Sequence, residues 1–206
     1  DNNKLADEVQ NLRTEYDIRN GATVTGCSKE AFNQYREELK TESFMFSYER
    51  AAKYYAINRA SFSGATFSGG WSERASYARF TDSSIQRLRD FEAKNFRVDY
   101  ADFEDAMDYH PKAFLYLDPP YMLPITQNAL YGTNGDLHRT FDHERLLSLL
   151  TKRSGWVMSY NDCETIKKMY EGYKIIDAEW AYGMKNQKTR ETTKKMGKSS
   201  EILIIG

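Results

Sequence analysis

The sequence predicts an α/β fold whose sheet contains parallel strands. Short apolar runs alternate with segments of helical spacing in the second half of the chain, which is the pattern of such sheets. The chain has 206 residues, of which 40% are hydrophobic and 29% charged, enough for one domain, or for a core with a small appended module. Two of the apolar runs end at Asp118 and Asn161. Because ligands bind outside the carboxyl ends of such strands, these residues mark the predicted functional edge.

Helical spacing dominates the first half of the chain. Leu5, Val9 and Leu12 fall on one face of the first predicted helix, and Ser28 is placed to cap the second. The segment 60–80 is rich in Gly, Ser and aromatic residues, and it predicts a loop or hairpin. The predicted helices cover residues 3–19, 29–40, 44–59 and 82–94.

The second half predicts the strands and the helices that connect them. Residues 185–198 are rich in Lys, Thr and Gly, which is typical of a mobile loop. Helices are expected at 142–152 and 162–171. The predicted strands cover residues 96–100, 113–117, 156–160, 173–178 and 201–205.

The composition excludes several classes of protein. Cys27 and Cys163 form no CxxC, and with only three histidines the chain predicts neither a zinc site nor a disulfide scaffold. No apolar run is long enough to span a bilayer and no signal peptide is found, so we expect no membrane partner and a reducing, cytoplasmic location. The formal net charge is -1, so any nucleic-acid binding must come from a local basic surface.

The segment Asp118-Pro119-Pro120-Tyr121 directly follows an apolar run. Neither proline has an N–H for a sheet ladder, so the pair predicts a rigid loop whose carbonyls are available as acceptors. Carboxylate and carbonyl acceptors around an exocyclic aromatic amine localise its lone pair and stabilise the charge that develops on nitrogen. An adjacent aromatic ring can hold the base in line with a methyl donor. A plain turn is the alternative interpretation.

Residues 113–121 resemble the D-P-P-Y segment of Dam-type (D12-class) DNA adenine-N6 methyltransferases. The resemblance continues through the family's next helix, its S-Y/N-N-D strand end and its last strand, at residues 141–150, 159–162 and 200–204. It implies a Rossmann-like, S-adenosylmethionine-dependent methyltransferase sheet that modifies adenine N6 in duplex DNA after base flipping. A cytosine-N4, RNA or protein-amide substrate stays open, because the same acceptors serve any planar amine.

The resemblance also implies residues that hold the cofactor. Asp102 and Phe103 match the place where the family contacts the adenine ring of S-adenosylmethionine, and Asp118 belongs to the same site. Asp1 matches the acidic strand end that binds the ribose hydroxyls. The alternatives are a helix N-cap for Asp102 and a solvated terminus for Asp1.

In this family an insertion before the D-P-P-Y strand reads the DNA. The resemblance therefore divides the chain into 1–29 (partial methyltransferase core), 30–95 (target recognition) and 96–206 (catalytic core). Arginines contact guanine edges or phosphates, and aromatic rings wedge between base steps, although a surface hairpin with solvated arginines is the alternative. The implied DNA-binding residues are Asn58, Arg59, Phe62, Trp71, Arg74, Tyr77 and Arg79. The segment 185–198 is expected to add phosphate contacts through Lys185, Lys188, Arg190, Lys194, Lys195 and Lys198.

The sequence departs from the family at its start. The family's G-G-K segment and F-x-G-x-G-type loop are not found, and residues 21–26 are rejected as a substitute because no strand is predicted before them. Three explanations are open: a fragment of a longer enzyme, a half that a partner chain completes, or a DNA-binding member without catalysis. The expected partners are double-stranded DNA and a second chain or N-terminal segment that supplies the cofactor loop.

Overall fold

The structure, a computed structural model, describes residues 1–41, 47–122, 137–178 and 201–206. These residues form two compact units, of which the first comprises Asp1–Arg97 and the second the described residues from Val98 onward. Each unit contains its own cluster of buried apolar side chains.

The first unit is mainly helical, with one β-hairpin. The hairpin corrects the prediction of a helix over 3–19, because the first helix ends at Asn11 and the next two elements are antiparallel strands. Gly21 turns the hairpin with φ +80°, so residues 21–26 do follow a strand. The elements are α1 (Asn2–Asn11), β1 (Thr14–Asp17), β2 (Thr23–Gly26), α2 (Lys29–Thr41), α3 (Tyr48–Ala60), a 3-10 turn (Phe62–Gly64), α4 (Glu73–Ala78) and α5 (Asp82–Arg89).

Local capping explains where these helices begin. The Ser28 hydroxyl accepts a hydrogen bond from the Ala31 amide at 3.2 Å, which confirms the predicted cap of α2. Thr81 and Ser84 form a reciprocal capping box at the start of α5. The predicted loop over 60–80 is interrupted by α4, whose first turn is capped by Ser72.

The core of the first unit lies around α3, which packs against α1, α2 and α4. Ala52, Ala56 and Ile57 are fully buried on α3. At the end of β2, a Cβ on Gly26 would lie 2.1 Å from the Ser76 carbonyl oxygen, so only glycine permits the close approach of α4. Cys27 beside it is buried, and burial raises the pKa of its thiol to about 12.

The second unit combines a four-stranded sheet with short helices. The sheet order is β3-β4-β6-β5, in which β3 and β4 are parallel and β6 is antiparallel to both of its neighbours. The elements are α6 (Phe103–Tyr109), β3 (Leu115–Leu117), α7 (Leu137–Thr140), α8 (His143–Leu150), β4 (Trp156–Asn161), α9 (Glu164–Met169), β5 (Lys174–Asp177) and β6 (Glu201–Ile205).

The sheet is mixed, so the prediction of parallel pairing holds only for β3 and β4. The last strand inserts between β4 and β5, which point the same way but do not pair with each other. Apolar runs do not reveal the direction of a strand, because buried strands of either direction bury the same residues. The alternating burial of Trp156, Met158 and Tyr160 shows that one face of β4 forms the core, together with Ile202 and Ile204 of β6.

Residues 96–100 do not form the predicted strand. They are exposed, and Tyr100 is fully accessible to solvent at 102% relative exposure. The apolar residues alternate as in a strand, but a strand also needs a neighbour for its backbone groups, and none of the described strands pairs with this segment. The prediction of a strand at 96–100 was therefore wrong.

Within the described ranges, no helix is both long enough and apolar enough to cross a membrane. The same residues contain no group of three or more His, Cys, Asp or Glu side chains arranged to hold a metal ion.

Candidate active site

The loop Asp118–Tyr121 begins where β3 ends. Parallel pairing aligns Leu117 with Met158 of β4, so the carboxyl ends of the two strands lie at the same edge of the sheet. The residues that follow Leu117 therefore meet the last three residues of β4, Ser159 to Asn161. This register decides which side chains can support the loop.

Ser159 supports the carboxylate of Asp118. Its hydroxyl lies 2.9 Å from Asp118 Oδ1 and 3.3 Å from the Leu117 carbonyl oxygen, and it accepts a hydrogen bond from the Tyr116 hydroxyl at 3.2 Å. Ser159 itself is 2% exposed, whereas Asp118 is exposed. Among the described residues, Ser159 is the side chain that donates to the Asp118 carboxylate.

Tyr160 supports the ring and the second proline of the loop. Its buried ring stacks on Tyr121 with centroids 5.6 Å apart and an interplanar angle of 22°. The hydroxyl lies 3.5 Å from the Pro120 carbonyl oxygen and is in hydrogen-bond contact with His143 Nδ1. Burial raises the pKa of Tyr160, so the phenol keeps its proton near neutral pH.

Asn161 completes the support by donating from Nδ2 to the Met122 carbonyl oxygen at 3.0 Å. Three consecutive residues of β4 thus contact Asp118, Pro120 and Met122 in turn. The two prolines have no backbone N–H, so the loop is fixed through its carbonyls and side chains instead. The sequence indicated that 159–162 form a strand end, but the contacts depend on strand register and were not predicted.

Asp102 and Phe103 lie at the start of α6. The Asp102 carboxylate accepts a hydrogen bond from the Glu104 amide at 3.0 Å, so Asp102 is an N-cap, as one of the two interpretations expected. Its side chain is exposed. The half-buried ring of Phe103 packs on Phe141, with centroids 5.4 Å apart. The Arg145 guanidinium lies over the Phe103 ring, 5.9 Å from its centroid.

A row of aromatic rings joins Phe103 to the D-P-P-Y loop. Phe141 contacts Phe103 at 5.4 Å and His143 at 5.0 Å, and His143 contacts Tyr160 at 5.8 Å, all between ring centroids. Tyr160 in turn stacks on Tyr121. Sequence reasoning identified only the two ends of this row. Phe141 and His143 follow each other closely at the start of a helix, which is a signal too common to single them out.

In the first unit, Asp1 caps α1. Its Oδ1 accepts hydrogen bonds from the amides of Asn3 and Lys4 at 3.0 and 3.2 Å, and its amino group donates to the Tyr48 hydroxyl at 3.0 Å. Asp1 is exposed. Asp1 is therefore an N-cap of α1. The ribose contact that the resemblance implied stays a prediction.

Several of the predicted DNA-binding residues hold a compact loop over residues 61–71. A bridge between Ser61 and Trp71 closes the loop, and the Asn58 amide donates to the Gly64 carbonyl oxygen at 2.9 Å. Arg59 Nε donates to the Arg79 carbonyl oxygen at 3.0 Å, and Arg79 Nε donates to the Arg59 carbonyl oxygen at 3.1 Å. Burial, with a smaller effect of Arg59, lowers the pKa of the Arg79 guanidinium.

The other predicted DNA-binding residues differ in their exposure. Phe62 is 64% exposed at the start of the loop, and Arg74 is exposed on α4, whereas Tyr77 is half-buried. Trp71 packs against the core, and its indole N–H donates to the Cys27 carbonyl oxygen at 3.0 Å. The six basic residues between Lys185 and Lys198 lie outside the described residues.

Comparison with known proteins identifies a family over most of the chain. Residues 2–184 match the family described as D12 class N6 adenine-specific DNA methyltransferase. Comparison with curated proteins gives no match. The family match includes the D-P-P-Y loop, the strand end that supports it and the loop over 61–71. Because the match extends over most of its length, the chain belongs to the D12 class N6 adenine-specific DNA methyltransferases, a family of enzymes that methylate adenine in DNA.

Proposed function

We propose that this chain transfers a methyl group from S-adenosylmethionine to adenine N6 in duplex DNA, after the target base has left the helix. One observation carries the proposal. The end of β4 holds Asp118 and Pro120 within the loop Asp118–Tyr121, and Met122 directly after it, while the Asp118 carboxylate stays exposed. A fixed acceptor beside a fixed aromatic ring is the arrangement that a planar amine needs in order to react.

Asp118 accepts a hydrogen bond from the N6 amino group, and the Pro119 carbonyl supplies a second acceptor. Together they localise the nitrogen lone pair and stabilise the positive charge that develops there. Tyr121 stacks on the flipped base, and Tyr160 supports that ring from behind with its own stacked ring. Pro120 keeps the loop rigid, so the acceptors are already oriented when the base arrives.

The residues at the start of α6 fit an adenine ring. Asp102 is an exposed carboxylate that can accept from an exocyclic amine, and the adjacent Phe103 ring offers a face held by Phe141. S-adenosylmethionine, when bound, supplies an electrophilic methyl group on a sulfonium sulfur. We assign Asp102 and Phe103 to its adenine, and Asp118 to the edge of the same site.

We assign residues 30–95 to target recognition, residues 1–29 to part of the methyltransferase core and residues 96–206 to a Rossmann-like catalytic core. Phe62 and Arg74 are the accessible candidates for contact with a base step and a phosphate. The loop over 61–71 is then held in place for contact with DNA by the internal hydrogen bonds of Asn58, Arg59, Trp71 and Arg79. Such a DNA substrate fits a cytoplasmic reaction in a bacterium or a phage-infected cell.

The test is methyl transfer from labelled S-adenosylmethionine to mixed-sequence duplex DNA, with N6-methyladenine identified by mass spectrometry. Asp118→Ala removes the carboxylate, and we expect the rate to fall by about a hundredfold or more. Asp108→Ala is the matched control, because Asp108 is an exposed aspartate of the same unit on α6. Binding of S-adenosylmethionine, measured by calorimetry, should be retained in the control.

Methylation that disappears in Asp118→Ala and persists in Asp108→Ala would support the proposal. Salt-sensitive DNA binding without methylation would instead favour the DNA-binding member without catalysis, or an enzyme that requires a second chain. Equal methylation rates in the unsubstituted protein, Asp118→Ala and Asp108→Ala would show that Asp118 does not take part in the reaction.

A further inference from the structure

The hydroxyl of Tyr160 lies between two partners that compete for its single proton. The Pro120 carbonyl oxygen is 3.5 Å away, and His143 Nδ1 is in closer contact. A carbonyl oxygen can only accept, whereas an imidazole nitrogen either donates or accepts, according to the tautomer. The proton position on His143 therefore decides whether Tyr160 can donate to the catalytic loop.

Only one arrangement satisfies all three groups. If His143 Nδ1 carries a proton, it donates to the Tyr160 oxygen, and the phenol proton is available for Pro120. If Nδ1 is unprotonated, it takes the phenol proton, and the Pro120 carbonyl loses this donor. In the first arrangement the buried Tyr160 hydroxyl both accepts and donates, and the Pro120 carbonyl keeps its donor, which avoids the cost of an unpaired polar group. The first arrangement is therefore favoured.

His143 is held in place from several directions. It is the first residue of α8, a helix whose N-cap Asp142 accepts a hydrogen bond from the Arg145 amide at 2.8 Å. The Phe141 ring meets the imidazole edge-on, with an interplanar angle of 65°, and the Tyr160 ring contacts it with the centroids 5.8 Å apart. This packing limits rotation of the imidazole and keeps Nδ1 directed at the phenol.

We propose that His143 is a positioning residue of the methyl-transfer reaction, acting through a chain of hydrogen bonds from His143 Nδ1 to the Tyr160 hydroxyl and on to the Pro120 carbonyl. The chain fixes the Tyr160 ring, on which Tyr121 stacks, and fixes the carbonyl of the second proline. The inference rests on the proposed function, because the loop that it positions is the proposed acceptor site.

The kinetic test compares two substitutions of His143 with a control substitution of an exposed histidine. His143→Phe keeps a ring but has no donor, while His143→Asn keeps an amide nitrogen at a similar distance from the backbone. His110→Phe is the matched control, because His110 is exposed in the same unit. We expect kcat to fall about tenfold in His143→Phe, with little change in the KM for S-adenosylmethionine, and His143→Asn to recover most of the loss.

Tyr160→Phe tests the middle of the chain. It should lower kcat by a similar factor. The double variant with His143→Phe should be no slower than either single variant, because each substitution breaks the same series of hydrogen bonds. Fully additive losses would overturn the proposal. So would a kcat of His143→Phe equal to that of His110→Phe.

Nitrogen NMR of the histidine side chains supplies a readout that does not require catalysis. The chain has three histidines, and the signal lost in His143→Phe identifies the residue. A proton on Nδ1 at neutral pH is expected, and an unprotonated Nδ1 would overturn the hydrogen-bond chain even in an active enzyme. A wild-type protein that methylates no DNA would instead overturn the proposed function, whatever the tautomer.

Discussion

At the scale of single residues, the hydroxyl of Ser159 shows how one buried group can serve both fold and chemistry. It connects β3 to β4 through Tyr116 and Leu117, and it also contacts the Asp118 carboxylate. An exposed aspartate at the end of a strand has several rotamers, and a buried donor at 2.9 Å selects one of them. The Asp118 carboxylate is then already oriented before the reaction begins.

Replacing Ser159 with alanine removes this donor without adding bulk. We expect the methyl-transfer rate to fall about tenfold, and the free energy of unfolding by about 1 kcal/mol, the typical value of one hydrogen bond. Ser148→Ala is the matched control, because Ser148 is an exposed serine on α8 whose hydroxyl donates to a carbonyl of its own helix. An unchanged rate in Ser159→Ala, beside an unchanged control, would show that Asp118 is oriented by other means.

At the scale of secondary-structure elements, the C-terminal end of α3 depends on Arg79. The last carbonyls of a helix lack partners within the helix. The Arg79 guanidinium donates to the carbonyl oxygens of Asn58, Arg59 and Ser61, so one side chain connects the end of α3 to the residue after α4. The same connection fixes the base of the loop over 61–71, which is proposed to contact DNA.

Arg79→Lys keeps the charge but cannot reach three carbonyls with one ammonium group. We expect the free energy of unfolding to fall by about 2 kcal/mol, as measured by urea denaturation, because hydrogen bonds to a charged group are lost. Arg74→Lys should change it by no more than about 0.5 kcal/mol, because Arg74 is exposed on α4. Equal losses in the two variants would contradict the structural role of Arg79.

At the scale of the whole molecule, the chain changes from one compact unit to the next near Arg97. Each unit has its own buried cluster, and the residues between α5 and α6 form no regular element. Exposed, irregular backbone is the preferred substrate of proteases, because it can adopt the extended conformation that cleavage requires. The apolar residues of this segment match the specificity of chymotrypsin.

Limited digestion with chymotrypsin should therefore cut within the described residues first after Phe96 or Tyr100, which are both exposed. N-terminal sequencing of the products would then begin at Arg97 or Ala101. A variant with Phe96→Ser and Tyr100→Ser should lose these products while α1 to α5 stay protected. Early cleavage inside the first unit would show that its core does not protect it.

Several features were determined by the sequence alone. The order of Asp118, two prolines and Tyr121 after an apolar strand predicted the candidate site, because chemical groups and rigid backbone at fixed spacing are local properties. Ser28 predicted the start of α2 for the same reason, since a cap needs only the next three residues. The short apolar runs at 156–160 and 201–205 likewise predicted β4 and β6, whose buried apolar residues alternate along each strand.

Other features were decided only by tertiary structure. The contacts of Ser159, Tyr160 and Asn161 with the loop depend on the register of β3 and β4, and the place of β6 in the sheet depends on pairing between distant segments. The hairpin of β1 and β2 replaced a predicted helix because packing against α4 at Gly26 overrides local propensity. Residues 96–100 have the alternation of a strand, but none of the described strands pairs with them. Strand pairing and register join residues far apart in the chain, so a local pattern does not determine them.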